Sequence, residues 1–271
     1  MKFCISNIAW LQQEDENIYS LMKKYGFHGL EIAPNRISER VFDEPQETIE
    51  SFKQSVEKHN ISLVAMQSLL YRRQDLLLFG DDSSRKNLLL QLEKCMVLAE
   101  HLGIKALIFG SPKNRCTNGL KQEVAEKIAI DFFQEAGDKA QKHNTILCME
   151  PNPKEYSTDF INTTLEGWEF VKKVNHPGFC LHIDTGTILI NKEPWEKILP
   201  ETLKWIGHFH VSAPFLALPG DPEFHRSMAQ LLRKHDYSGW ISIEMKQGIM
   251  EKNEEAVLQA LEKVRDWYGI L

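Results

Sequence analysis

The chain has 271 residues, 42% of them apolar and 26% charged, with a formal net charge of −6. That is enough apolar material for one large core, and an acidic balance with no basic run argues against a general nucleic-acid or anionic-membrane surface. No apolar run reaches the roughly 18 residues of a membrane span and no apolar signal segment follows Lys2, so a cytoplasmic protein is expected.

Residues 3–10 read as a first strand ending at Trp10. Ile18, Leu21, Met22 and Tyr25 then share one helical face, and Gly26 is a C-cap. Gly29 to Ala33 is a second strand closed by Pro34, and Pro45 opens a helix carrying Ile49, Phe52 and Val56. Ile61 to Met66 is a third strand, followed by a longer loop with Arg72, Arg73 and Asp75. The next helix starts at the cap pair Ser83-Ser84 and ends at Gly103. Lys105–Phe109 is a fourth strand, and a long helix runs from about Leu120 to Lys142 with apolar residues at i, i+4 spacing. Strands over 145–150, 179–184, 205–211 and 240–245 alternate with helices over 164–174, 195–203, 222–234 and 253–267. The strands are short and rich in Val, Ile and Leu, as strands covered on both faces should be. Eight such units without a linker predict a single α/β domain over 1–271, folded as a (β/α)8 TIM barrel. The first strand is not followed by Gly-x-Gly-x-x-Gly, which weighs against a dinucleotide-binding sheet. The five cysteines are odd in number, scattered and often within apolar strands, which points to reduced thiols rather than a disulfide framework.

Four of these strands end alike. The fifth ends in Glu150, the sixth in Asp184, the seventh in His210 and the eighth in Glu244, at separations of 34, 26 and 34 residues. An ionised side chain has no place along a buried strand, but at the C-terminal rim of a barrel it faces the active site. Alternation puts Cys148, His182, His208 and Ser242 one layer below. Three carboxylates would repel one another unless a cation sat among them. An oxygen-rich set with one imidazole suits one divalent metal ion, Mn²⁺ or Mg²⁺, with Co²⁺ and Zn²⁺ as alternatives. Any one of these side chains could instead be a helix cap or salt-bridge partner, and Asp184-Thr185-Gly186 is itself a turn signal.

The set Glu150-Pro, Asp184-Thr, Gly207-His-Phe-His210 and Ile243-Glu244, with Gly29-Leu-Glu31-Ile at strand two, resembles the xylose isomerase-like TIM-barrel superfamily. It is most similar to the sugar or sugar-phosphate isomerase/epimerase branch of ketose 3-epimerases and hydroxypyruvate isomerases. The resemblance implies one metal, often manganese, held by Glu150, Asp184, His210 and Glu244. It further implies that Glu150 and Glu244 are the catalytic proton-transfer groups, acting through a metal-stabilised enediolate. Both activities need the same tetrad, so isomerase and epimerase stay open. Dimers or tetramers are common in the branch. Candidates for holding a small-molecule sugar, keto-sugar or sugar-phosphate are Trp10, Glu31, Gln67, Lys113, Arg115, Asn152, His182, His225 and Lys246.

Two positions depart from the 3-epimerase pattern. Thr187 stands where those enzymes tend to have His, and Leu216 where they tend to have Arg. That puts a 3-epimerase of free ketohexoses in doubt. An inosose dehydratase-like lyase on the same scaffold is the alternative, with His225 as its acid. An endonuclease IV-like DNA repair enzyme is less favoured, because its extra histidine ligands would fall where Gln67-Ser68, Ser111-Pro112 and Thr187 stand.

Overall fold

A computed structural model of the protein describes residues 1–269. Eight parallel strands close into a barrel in sequence order, with β1 (Lys2–Ser6) hydrogen-bonded to both β2 (Gly29–Ile32) and β8 (Trp240–Glu244). Between them run β3 (Ser62–Met66), β4 (Ala106–Phe109), β5 (Ile146–Met149), β6 (Phe179–Asp184) and β7 (Ile206–Ser212). The helices are α1 (Asp15–Tyr25), α2 (Gln46–Glu57), α3 (Asp82–Leu102), α4 (Gln122–Lys142), α5 (Thr164–Val174), α6 (Thr185–Asn191), α7 (Trp195–Thr202), α8 (Pro222–Lys234) and α9 (Asn253–Tyr268). Among the described residues, no helix is long and apolar enough to cross a membrane.

The TIM barrel is therefore as the strand spacing predicts, and the local differences have physical causes. Residues 7–9 form a 3-10 turn rather than more strand, because the Asn7 side chain accepts from the Ala33 N–H and ties this turn to the end of β2. The α3 cap is Asp81, whose carboxylate accepts from the Ser84 N–H; the Ser84 hydroxyl instead donates to Asp75 O. Helix α6 starts without a loop after β6, because Asp184 is at once the last strand residue and the helix N-cap. Gly26 and Gly103 end α1 and α3 with φ of 78° and 76°, the left-handed geometry that Gly adopts without a Cβ clash.

Helices cover the outside of the sheet. A cluster of aromatic rings carries much of the packing where α4 and α5 meet β4 and β6. Phe133 is fully buried, with ring centroids 5.3 Å from Phe109, 5.1 Å from Phe132, 5.8 Å from Phe170 and 4.7 Å from Phe179. The lumen is packed differently. Its base holds small side chains, Cys4, Ala106 and Cys148, with Cys180 and Trp240 beside them. Gly207 is the extra residue of a bulge in the β6–β7 ladder, and a Cβ there would fall 2.2 Å from Cys180 Sγ. Above this plug the lumen becomes polar.

Replacing Phe133 with Ala should remove about 3–5 kcal/mol of stability, since four rings cannot collapse into the space. Chemical denaturation of the variant checks this, and a loss under about 1 kcal/mol would mean that the cluster repacks freely.

Candidate metal centre

Glu150, Asp184, His210 and Glu244 converge. One donor atom from each lies within 4.8 Å of the donors of the other three. Asp184, His210 and Glu244 are buried, and Glu150 is partly open to the barrel mouth. The room for Glu150 comes from Gly110 after β4, where a Cβ would sit 2.0 Å from Glu150 Oε2. Asp184 is fixed by neighbours on both sides. The Thr187 N–H donates to its Oδ1 at 2.8 Å, and the Ser212 hydroxyl donates to Oδ1 at 2.8 Å. Thr185 Oγ1 donates to Ser212 O and accepts from Ser212 N, so the Asp-Thr-Gly turn is stitched to β7.

The orientation of His210 is set from below. Glu31, with no solvent exposure, accepts from His210 Nε2 at 2.9 Å, from His208 Nε2 at 3.1 Å and from the Ser242 hydroxyl at 2.5 Å. That leaves His210 Nδ1 facing upward, 3.3 Å from Glu244 Oε2 and 3.9 Å from Asp184 Oδ2, buried and without a hydrogen bond. An unpartnered imidazole nitrogen among three carboxylates fits a divalent cation. A carboxylate that accepts from the far nitrogen of the ring is the usual support for a ligating histidine.

Charge follows this geometry. Burial and then the carboxylates of Glu244 and Asp184 push Glu150 up to about 8. Burial and Glu244 raise Asp184 to about 6. Glu31 goes the other way: burial would raise it, but His210 and His208 hold it well below the usual carboxylate range. His210 is raised well above an ordinary histidine, because Glu31 and Glu244 outweigh its burial. Burial and the other two imidazoles hold His182 well below its ordinary value.

The predicted substrate-facing residues divide into two groups. Gln67 and Lys113 line a cavity of about 330 Å³ at the mouth, together with Arg72, Glu150 and Glu244. Lys246 is exposed just past β8. Asn152 is near this rim, but its Oδ1 is taken by Arg115 Nη2 at 2.8 Å. The others are packed inside the protein. Arg115 is fully buried and also donates to Glu150 O at 2.8 Å, so it braces the β5 loop rather than facing the mouth; burial pushes it down to about 10. Trp10 has no exposed surface, and its Nε1–H donates to Asp15 at 2.7 Å. Glu31 and His182 lie in the lumen under the strand ends, both at 0% exposure. His225 is enclosed between α8 and α9, stacked on Trp267 at 4.7 Å with Nδ1 2.9 Å from the Tyr268 hydroxyl.

Four further residues border the site without having been singled out from the sequence. Tyr71 and Arg72 lie on the β3–α3 loop and line the mouth cavity. That loop's length is itself a functional signal. The Tyr156 hydroxyl accepts from the Phe215 N–H at 2.8 Å, and the two rings meet edge to face at 5.6 Å. Burial first, then Asp184, Glu244 and Glu150, push Tyr156 up to about 12, which reflects its closeness to the carboxylates. Nothing in the sequence pattern marks Tyr156 or Phe215.

A family model described as xylose isomerase-like TIM barrel matches residues 19–267. The chain belongs to this family. The D-psicose 3-epimerase of Clostridium cellulolyticum H10 is structurally similar, with a TM-score of 0.80, 18% identity and complete coverage of both chains. The IOLI protein, in a structure with a zinc atom bound, is similar with a TM-score of 0.74, 19% identity and complete coverage of both chains. An AP endonuclease of family 2 from Brucella melitensis has a TM-score of 0.74 and 19% identity, covering 95% of this chain and 97% of its own. These likenesses show a shared fold, and their activities differ. No curated protein sequence matches the chain.

The raised carboxylates of this xylose isomerase-like barrel predict a pH effect. In the unfolded chain Glu and Asp titrate near 4, so the folded form holds these protons more tightly. Their contribution to stability is complete at low pH and is lost as pH rises through about 6 for Asp184 and about 8 for Glu150. The chelator-treated protein should melt at a lower temperature at pH 8 than at about pH 5, and added divalent cation should reverse the drop at the higher pH. A Glu150→Gln variant should show a smaller drop. An unchanged slope in that variant would remove Glu150 as its source.

Proposed function

We propose that the protein is a divalent-metal-dependent sugar or sugar-phosphate isomerase or epimerase, acting as one domain over 1–271 by proton transfer through an enediolate. The observation that carries this reading is the convergence of Glu150, Asp184, His210 and Glu244 within 4.8 Å around an unpartnered His210 nitrogen. The metal would supply Lewis-acid polarisation of a carbonyl and its neighbouring hydroxyl. Asp184 and His210 have their other atoms committed to protein partners, so they act as fixed ligands. Glu150 and Glu244 both border the mouth cavity, where a substrate carbon can come within reach of either. One removes the proton α to the carbonyl and the other returns a proton: to the opposite face of the same carbon for epimerisation, or to the adjacent carbon for isomerisation.

Lys113 and Arg72 stand at the same mouth and Gln67 lies deeper. This arrangement supports a sugar with an anionic end, the polar hydroxyls lying toward the carboxylates and a phosphate or acid group toward the two cations. A dehydratase reading is less well supported. The acid it would call on, His225, is enclosed between α8 and α9 at 0% exposure. The net charge of −6 also weighs against a DNA duplex as substrate.

The test is solvent deuterium exchange over a panel of ketoses, keto-acids and sugar phosphates with the purified protein loaded with one divalent ion. Deuterium should enter at the α carbon of the true substrate. Glu244→Gln should lower turnover by about 10²–10⁴-fold with the fold intact by circular dichroism. Water loss with no prior exchange would support the lyase, and a fully active Glu244→Gln protein would end the two-carboxylate scheme.

A further inference from the structure

His182 lies beneath the four strand-end side chains, and the proposed reaction gives it no role. It is fully buried, and neither of its ring nitrogens has a hydrogen-bond partner. A neutral imidazole has one N–H donor and one lone pair. The edge-to-face approach to His210, with centroids 4.1 Å apart, can absorb the N–H as a weak contact with the ring. It does nothing for the lone pair. A buried acceptor left without a donor is costly to keep.

No donor is directed at it: the Nε2 atoms of His208 and His210 both face Glu31, and neither nitrogen of His182 has a hydrogen bond. A cation can meet such a lone pair. One nitrogen of His182, one of His210 and one oxygen of Glu150 lie within 4.8 Å of one another. Ligand atoms about 2.1 Å from an ion stand at most about 4.2 Å apart, so a small side-chain shift closes this set around one. His182 and Asp184 are two residues apart on β6 and share its inward face, which puts the second seat directly under the first.

We propose that His182 is a nitrogen ligand of the metal, joining Glu150 and His210 in a deeper seat, and that this second imidazole selects borderline ions, Zn²⁺ and Co²⁺, over Mn²⁺ and Mg²⁺. The rim alone, three carboxylates and one imidazole, suits the harder ions; exchanging two oxygens for a nitrogen changes the preference. The inference rests on the metal-dependent reading above and differs from it in the ion and in the ligands, His182 standing in place of Asp184 and Glu244.

X-ray absorption on the zinc-loaded wild-type protein reads the coordination directly and needs no variant. Two imidazoles on zinc are expected; a single imidazole overturns the proposal and leaves the metal-dependent reading in place. Competition titrations with Zn²⁺ and Mn²⁺ then compare wild type with His182→Phe. The variant should lose about tenfold or more in Zn²⁺ affinity while Mn²⁺ changes by less than about twofold. Equal losses for both ions, or none, also overturn it. A wild-type protein that binds neither ion ends both readings.

Discussion

Like charge brought close together governs this barrel mouth. Glu150, Asp184 and Glu244 stand around a single imidazole, and Glu150 and Asp184 respond by holding protons far above their usual range. Such a cluster persists only if its members are held in place from outside. The Ser212 hydroxyl and the Thr187 N–H hold Asp184, and Gly110 leaves space for Glu150. Glu31 holds His210 from beneath and is itself kept ionised by two imidazoles. The lumen is thus an alternation of charge in depth: carboxylates at the rim, imidazoles under them, and a carboxylate bonded to two of those imidazoles.

Much of this is legible in the sequence because the barrel imposes two periodicities. One strand-helix unit separates successive strand ends, and the side chains alternate along each strand. Together they put Glu150, Asp184, His210 and Glu244 at one rim, with His182, His208 and Ser242 below, and the geometry brings these groups together. Where sequence patterns fail, the reason is that a residue type does not reveal its direction. Arg115 and Lys113 sit two apart on one loop, yet one is fully buried against the β5 loop and the other borders the mouth. His225 follows β7, the strand of His210, but α8 turns it toward Trp267. Trp10 ends β1 in the sequence pattern and is drawn into the core by its bond to Asp15. Tyr156 and Phe215 meet across 59 residues, a separation that no local pattern encodes.

Two loops shape the mouth. The β3–α3 loop brings Tyr71 and Arg72, with Arg72 in left-handed geometry at φ 59°. The β7–α8 loop brings Phe215 and Leu216, with φ of 60° and 58°. Non-glycine residues in that region carry strain that surrounding contacts must hold. Here Tyr156 holds Phe215, and the Lys246 N–H holds Leu216 through its carbonyl. The rim is therefore set by loops that lock one another, while the strand ends beneath belong to the sheet.

The bonds of Glu31 have a consequence for how the chain reaches this state. It sits on β2, and its partners His208, His210 and Ser242 lie 177, 179 and 211 residues later. During synthesis a buried carboxylate near the beginning of the chain waits unpaired until the last quarter emerges from the ribosome. Partial barrels of four or six strands expose that charge to water and gain nothing from it. Contacts of such long range make closure late and slow. The same group that orients His210 therefore acts as a completeness check, because its environment becomes satisfied only when the final strand has docked.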